Sequence, residues 1–157
     1  MSQSVEEVLK LAIRTEAESA DFYAAWAAAA TVPSTRKLLE SLSLDEKFHL
    51  ERVRKILEGK MSFSRDSLQQ MVDTTRAGDP PAPSADADYD AVLAWAMERE
   101  KWTYGMYESL SNSTAEPEAQ QTLFALADQE QRHYIRLKRE RASARMDERL
   151  RRQFRGK

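Results

Sequence analysis

The hydrophobic positions of this chain recur at mixed three- and four-residue steps in four separate stretches. In residues 5–30 the apolar positions are Val5, Val8, Leu9, Ala12, Ile13, Ala20, Tyr23 and Ala24. That spacing is the period of an α-helix. Comparable stretches cover about 34–58, 88–111 and the chain from 113 onwards, and no alternating strand pattern competes with them. The pattern therefore predicts an all-α chain of four helices.

The breaks between these stretches predict how the helices connect. Short breaks, one around Pro33 and one ending at Pro117, separate helices one and two and helices three and four, so each pair forms an antiparallel hairpin. The connection at about 60–87 is long enough to run the length of a bundle, at about 3.3 Å per extended residue. We therefore expect residues 1–140 to form a four-helix bundle of two hairpins, about 5–58 and 88–140, joined by one long crossover.

The two predicted hairpins are related by an internal duplication. A shift of 84 residues, without gaps, aligns pairs of like residues between the halves. Besides the pairs described below, these are Val8 with Val92, Leu9 with Leu93, Ala12 with Ala96, Leu39 with Leu123, Leu42 with Leu126, and Arg52 with Arg136. A repeat at a fixed spacing indicates two copies of one structural unit.

The only two histidines of the chain occupy equivalent positions in this duplication. Each lies three residues after a glutamate, in Glu46-Lys-Phe-His49 and Glu130-Gln-Arg-His133. Residues three apart on a helix project from the same face, so each pair can bind one metal. The duplication also aligns two further glutamates on the partner helices. The six candidate ligands are Glu16, Glu46, His49, Glu100, Glu130 and His133.

Four carboxylates and two imidazoles converging in a helical bundle predict a dinuclear metal site. Glu46 and Glu130 are placed to bridge the two metals, Glu16 and Glu100 to act as terminal ligands, and the histidines to bind one metal each. Unligated, six ionisable groups would be costly to bury. An oxygen-rich set of this kind favours two iron ions or manganese, with zinc as a structural alternative.

Other polar residues near the candidate ligands are predicted to play smaller roles. Tyr23 and Tyr107 each follow a ligand glutamate by seven residues and share its helical face. They are predicted to be catalytic, by hydrogen-bonding a carboxylate from another helix or by passing an electron. Glu18, Asp45 and Glu98 find no acidic counterpart in the other half. We expect them at the surface, or, for Asp45, as an outer hydrogen-bond acceptor of the site.

The composition argues against cysteine-based sites and membrane-spanning segments. The chain has no cysteine, which excludes disulfides, thiolate zinc sites and cysteine-bound iron–sulfur clusters. No apolar run approaches the roughly 20 residues that span a bilayer, and the N-terminal residues show no export signal. A cytoplasmic location without a membrane role is expected.

Charge is distributed unevenly along the chain. The net charge is −2, yet residues 136–157 hold ten Lys/Arg against three Asp/Glu, a local balance of +7. We interpret the tail at 141–157 as a basic helical end that is solvated or packs against another subunit, not as a site for nucleic acid or membrane.

The arrangement resembles the ferritin-like superfamily, and most closely the rubrerythrin-like di-iron proteins. The likeness covers roughly residues 5–140 and is carried by three segments. These are Thr-Glu16-Ala-Glu-Ser-Ala-Asp-Phe-Tyr23 with Glu100 and Tyr107 as its counterparts, Asp-Glu46-Lys-Phe-His49-Leu, and Asp-Gln-Glu130-Gln-Arg-His133. The resemblance implies that the six ligands bind two irons, and that the site reduces hydrogen peroxide or oxidises ferrous iron with dioxygen.

The sequence departs from typical rubrerythrins in two ways. A chain without cysteine has no cysteine-bound iron domain to deliver electrons, and Thr103 stands where those proteins carry an extra glutamate one turn after the third-helix ligand. We therefore expect a non-haem di-iron oxidoreductase that reduces peroxide or dioxygen and is reset by an external electron donor protein, with a homodimer as its assembly.

Two alternative functions remain open at the level of sequence. The same site fits a ferroxidase or iron-storage protein, for which a large hollow shell is the expected assembly. It also fits a structural metal-binding bundle, in which a redox-inactive pair such as two zinc ions has no turnover.

Overall fold

A computed structural model describes residues 3–59, 83–84, 87–115 and 117–155 of the chain. Within these ranges the backbone forms four helices and no β-strand, which confirms the all-α prediction. The helices are α1 (Gln3–Ala29), α2 (Pro33–Glu58), α3 (Tyr89–Ser113) and α4 (Pro117–Arg155). The predicted crossover at 60–87 falls almost entirely outside the described residues.

Local sequence explains where three of the helices begin. Pro33 is the first residue of α2 and Pro117 the first of α4, and proline suits this position because its fixed φ is helical and its missing N–H has no partner there anyway. α3 begins after Asp88, whose carboxylate accepts a hydrogen bond from the amide of Ala91 at 2.8 Å. Such a cap satisfies one of the unpaired amides at a helix start.

The helices pack as two hairpins. α1 lies along α2 and α3 lies along α4, and α2 also touches α4. Side chains link the members of each hairpin to backbone carbonyls. Ser43 donates to the carbonyl of Ala20 at 2.8 Å, and Ser111 donates to that of Gln120 at 3.0 Å. The prediction of a four-helix bundle made of two hairpins is confirmed.

The apolar core is divided into two clusters of buried side chains. The Leu9 cluster contains Leu9, Ala12, Val53, Ile56, Met106, Tyr107, Leu110, Leu123, Leu126 and Ala127. The Leu39 cluster contains Tyr23, Ala27, Leu39, Leu42, Leu93, Ala96 and Leu137. Each fully buried aliphatic or aromatic side chain stabilises the fold by roughly 1.5–3 kcal/mol. On every helix, the candidate ligands fall between a residue of one cluster and a residue of the other.

The basic tail continues α4 as helix. α4 has 39 residues against 25 in α3, so its C-terminal part extends past the start of α3. Asp90, near that start, accepts two hydrogen bonds from Arg141 and two from Arg145, at 2.6–2.9 Å. These guanidinium groups hold the pKa of Asp90 well below its usual range. None of the described helices is long and apolar enough to cross a membrane.

Candidate metal centre

The structure brings all six predicted ligands together at the middle of the bundle. α1 contributes Glu16, α2 contributes Glu46 with its histidine three residues on, α3 contributes Glu100, and α4 repeats the α2 pair with Glu130. All six side chains are buried, with 1–3% of their surface exposed. On each helix, the candidate ligands thus lie on the same buried face as the apolar residues.

The first set of ligands surrounds His49. Its Nδ1 lies 2.7 Å from Glu130 Oε1, 2.9 Å from Glu46 Oε2 and 3.6 Å from Glu16 Oε2. One ligand atom from each of these four residues lies within 4.8 Å of all the others. Ligand atoms that share one ion, with bonds of about 2.0–2.2 Å, reach similar separations.

The second set surrounds His133 in the same way. Its Nδ1 lies 3.2 Å from Glu46 Oε1, 3.5 Å from Glu130 Oε2 and 3.3 Å from Glu100 Oε2. The two imidazole rings are nearly parallel, at an interplanar angle of 12° with their centroids 5.5 Å apart. The two sets share Glu46 and Glu130, and each of these glutamates directs one oxygen to each histidine.

Several atoms of the site have no hydrogen bond within the described part of the chain. Both oxygens of Glu46, Oε1 of Glu130 and Nδ1 of His49 are buried without a partner of hydrogen-bond geometry. Buried polar atoms are almost always satisfied, so unsatisfied ones at close range to each other need an explanation. Carboxylate oxygens and imidazole nitrogens are metal ligands, and the donor set fits two metal ions.

Tyr23 and Tyr107 connect the two hairpins at the site. The hydroxyl of Tyr23 donates to Oε1 of Glu100, and that of Tyr107 donates to Oε1 of Glu16. Each phenol thus holds the terminal glutamate of the opposite hairpin by one oxygen and leaves the other oxygen facing a histidine. Burial and the nearby carboxylates raise the pKa of both tyrosines well above the usual value, so both keep their protons. Their catalytic role stays a prediction.

The outer nitrogen of each imidazole faces an oxygen from the opposite hairpin. Nε2 of His49 lies 2.8 Å from Oε1 of Gln129, and Nε2 of His133 lies 3.3 Å from Oδ2 of Asp45. Because both oxygens are acceptors, they favour a proton on Nε2, so Nδ1 would be the nitrogen that binds a metal. Asp45 therefore lies at the site as an outer acceptor, although it serves the histidine of the other half.

Gln129 was missed by the sequence reasoning. A signal existed, because Gln129 directly precedes Glu130 just as Asp45 directly precedes Glu46, in register under the 84-residue shift. The pairing was discounted because one residue is an acid and the other an amide. Both side chains carry an acceptor oxygen, which is the property that the imidazole N–H requires.

Three other polar residues have partners outside the centre. Glu18 is exposed and pairs with Arg14 and Arg99. Glu98 is also exposed and lies 3.8 Å from Lys101. Thr103 is buried, and its hydroxyl donates to the carbonyl of Arg99 at 2.9 Å, so it provides no ligand. Glu18 and Glu98 therefore lie at the surface, as expected from their lack of counterparts.

Protons stabilise the site when no metal is bound. Burial, followed by the charges of the bridging carboxylates, raises the pKa of Glu16 and Glu100 well above the usual value. Burial by itself lowers the pKa of His49, but the surrounding carboxylates outweigh it and raise that pKa far above normal. The same balance raises the pKa of His133.

The pKa values of the two bridging glutamates, Glu46 and Glu130, shift in the opposite direction. Burial raises the pKa of Glu46 and Glu130, but contact with the two imidazolium groups outweighs burial, and both pKa values are lowered. In the absence of metal, these shifts favour protons on Glu16, Glu100 and both histidines, and the ionised forms of Glu46 and Glu130. Two divalent metals would balance the charge of four carboxylates beside two neutral imidazoles.

The comparison with known protein families agrees with this geometry. The family model described as Rubrerythrin matches residues 7–141, which include all four helices' contributions to the site. The chain belongs to the rubrerythrin family. No curated protein and no solved structure gives a significant match. The resemblance inferred from the sequence is confirmed, and the rubrerythrin domain of this chain is a ferritin-like bundle with a buried carboxylate–histidine cluster that could hold metal ions.

Proposed function

We propose that this chain is a non-haem di-iron oxidoreductase of the rubrerythrin type, which reduces hydrogen peroxide or dioxygen. The observation that supports it most strongly is the sharing of Glu46 and Glu130. Each directs one oxygen to His49 and the other to His133, at 2.7–3.5 Å. Two glutamates in that position would bridge two metals, each of which would have its own histidine.

Glu16 and Glu100 would hold the irons as terminal ligands, and the two histidines would hold one each. Two bound ferrous ions would supply the two electrons that reduction of a peroxide O–O bond requires. Iron is favoured over copper and zinc because four of the six ligands are carboxylates. The four carboxylates neutralise the two divalent cations, so the loaded site adds no net charge to the core.

The surrounding residues prepare the site for this reaction. The Leu9 and Leu39 clusters exclude bulk water above and below the ligands. The hydroxyls of Tyr23 and Tyr107 hold the terminal carboxylates by hydrogen bonds. We assign both tyrosines the role of positioning groups for these carboxylates.

The chain contains no cysteine and therefore holds no cysteine-bound iron of its own to deliver electrons. We propose an external electron donor and a homodimeric assembly.

A ferroxidase is the second candidate, and Thr103 favours it. Its hydroxyl is bonded to the backbone of its own helix, so the chain has a plain set of four glutamates and two histidines. Without a further carboxylate for a metal to move to, the same site is suited to oxidising iron with dioxygen for storage or transfer.

Stopped-flow spectroscopy of the ferrous protein distinguishes these functions. Protein loaded anaerobically with iron is mixed separately with peroxide and with dioxygen, and iron is quantified beforehand. The proposal predicts oxidation of the ferrous site by peroxide or by dioxygen, and no uptake of iron beyond two ions per chain. Faster oxidation by dioxygen with continued iron uptake would support the ferroxidase, and no oxidation by either would contradict both.

A further inference from the structure

On the outer side of each histidine, an acceptor side chain and an arginine form the same arrangement with the imidazole Nε2. In one copy, Gln129 Oε1 faces Nε2 of His49 at 2.8 Å and accepts from Arg52 at 3.4 Å. In the other, Asp45 Oδ2 faces Nε2 of His133 at 3.3 Å and accepts from Arg136, also at 3.4 Å. Each arginine follows its histidine by three residues. The duplicated arginines of the sequence therefore belong to this outer layer.

The main chemical difference between the two copies is the charge of the acceptor, and Arg136 also donates to Ser41 at 3.1 Å. Asp45 is a carboxylate, whereas Gln129 is a neutral amide of similar shape. A carboxylate that accepts the N–H of a metal-bound imidazole makes the imidazole a more basic ligand, and an amide does so far less. The directly facing groups are otherwise matched, because each metal position has one histidine, one terminal glutamate held by a tyrosine, and both bridging glutamates.

Resting on the proposed two-metal function, we propose that the two metal positions are unequal. The position at His133 binds a divalent cation more tightly and fills first, because of Asp45. The position at His49 binds more weakly, because Gln129 gives its imidazole no charge. The shorter contact of Gln129 does not reverse this order, since a full negative charge acts beyond hydrogen-bond distance.

Two features limit the size of the effect. The Asp45 side chain is 37% exposed, and Arg136 lies against it with 40% exposure, so solvent and the guanidinium both screen its charge. Removal of an outer hydrogen-bond partner of a metal-bound histidine typically lowers metal affinity 10–100-fold. Because of the screening we expect a difference near the lower end of that range, about 10-fold.

Two near-isosteric substitutions test the proposal in opposite directions. Asp45→Asn removes the charge, and Gln129→Glu adds one in the other copy. Asp128→Asn is the matched control, since this carboxylate precedes Gln129 but pairs with Arg132 at the surface, at 2.7 Å. Stepwise binding of cobalt(II), followed by its visible absorption under chelator competition, gives both constants without any measurement of activity. Circular dichroism verifies that each variant is folded.

The wild-type protein should bind cobalt(II) in two steps of unequal affinity. We expect Asp45→Asn to weaken the tighter step about 10-fold and to leave the weaker one unchanged. We expect Gln129→Glu to strengthen the weaker step by a similar factor, and Asp128→Asn to change neither. Two equal steps in the wild type, or equal weakening of both steps by Asp45→Asn, would overturn the inequality while leaving the dinuclear site intact. Failure to bind two cobalt ions at all would overturn the proposed function itself.

Discussion

The hydroxyl of Tyr23 on α1 donates a hydrogen bond to the carboxyl group of Glu100 on α3. The duplication repeats this contact in reverse, since Tyr107 on α3 donates to Glu16 on α1. Two buried phenols thus join the hairpins at the level of the metal site. The terminal ligands of each hairpin are oriented by the other hairpin, so the site and the docking of the hairpins depend on each other.

Loss of the Tyr23 hydroxyl should destabilise the protein. In Tyr23→Phe, an oxygen of Glu100 is left buried without its donor, which typically costs about 1–3 kcal/mol. We expect urea unfolding of the metal-free protein to show that decrease in the free energy of unfolding. Tyr104→Phe is the control, because its hydroxyl bonds the exposed Glu108 and should change stability by less than about 0.5 kcal/mol. Equal effects in the two variants would mean that the contact with Glu100 contributes nothing.

The bridging and terminal glutamates should differ in their effect on metal stoichiometry. Glu46→Ala or Glu130→Ala removes a ligand from both positions, so binding of the metal pair should be abolished while the helical fold remains. Glu16→Ala removes a ligand from the His49 position alone, so one metal should still bind. The control is Glu51→Ala on the exposed face of α2, which should retain both metals. Elemental analysis after gel filtration provides the counts, and retention of two metals in both bridging variants would contradict the shared roles.

Metal binding should become tighter as the pH rises. In the metal-free protein, the raised pKa values of His49, His133, Glu16 and Glu100 favour their protonated forms. Each must lose any proton that it carries to bind a metal, so loading two metals should release protons, up to about four. A pH indicator in weakly buffered solution measures them. Release of one proton or none would show that these groups are already ionised before the metal binds.

The same shifts determine how the stability of the metal-free protein depends on pH. A group with a raised pKa in the folded state stabilises that state most at pH values below its unfolded pKa, and this contribution is lost as the pH rises towards the folded value. For the histidines, whose unfolded pKa is about 6.5, the loss therefore begins above pH 6.5. We expect chemical unfolding of the metal-free protein between pH 6 and 9 to show falling stability. Constant or rising stability across that interval would contradict the raised pKa values.

Removal of metal should lower the melting temperature. A ligand that binds only the folded state adds about 2.7 kcal/mol when its free concentration is 100 times its dissociation constant. For a chain of this size, that corresponds to roughly 5–11 °C per filled position. Calorimetry with and without a chelator measures the shift. Identical melting temperatures would mean that the buried ligands hold no metal.

The sequence predicted the site more completely than its surroundings. All six ligands share the duplication, and helical spacing alone puts each Glu-x-x-His pair on one face, so their convergence in the structure required no knowledge of loops. Gln129 was not predicted because its partner across the duplication is an acid, and because only the fold shows that the residue before each bridging glutamate meets the other hairpin's histidine. The spacing of residues along the chain does not show which side chains meet across the two hairpins.

Crystals of the protein loaded anaerobically with ferrous iron show whether the six side chains hold two metals. Anomalous diffraction at the iron absorption edge locates each iron independently of the protein atoms. We predict two anomalous peaks per chain, both between Glu46 and Glu130, one next to Nδ1 of His49 and the other next to Nδ1 of His133. A single peak, or peaks only at surface carboxylates, would contradict the account.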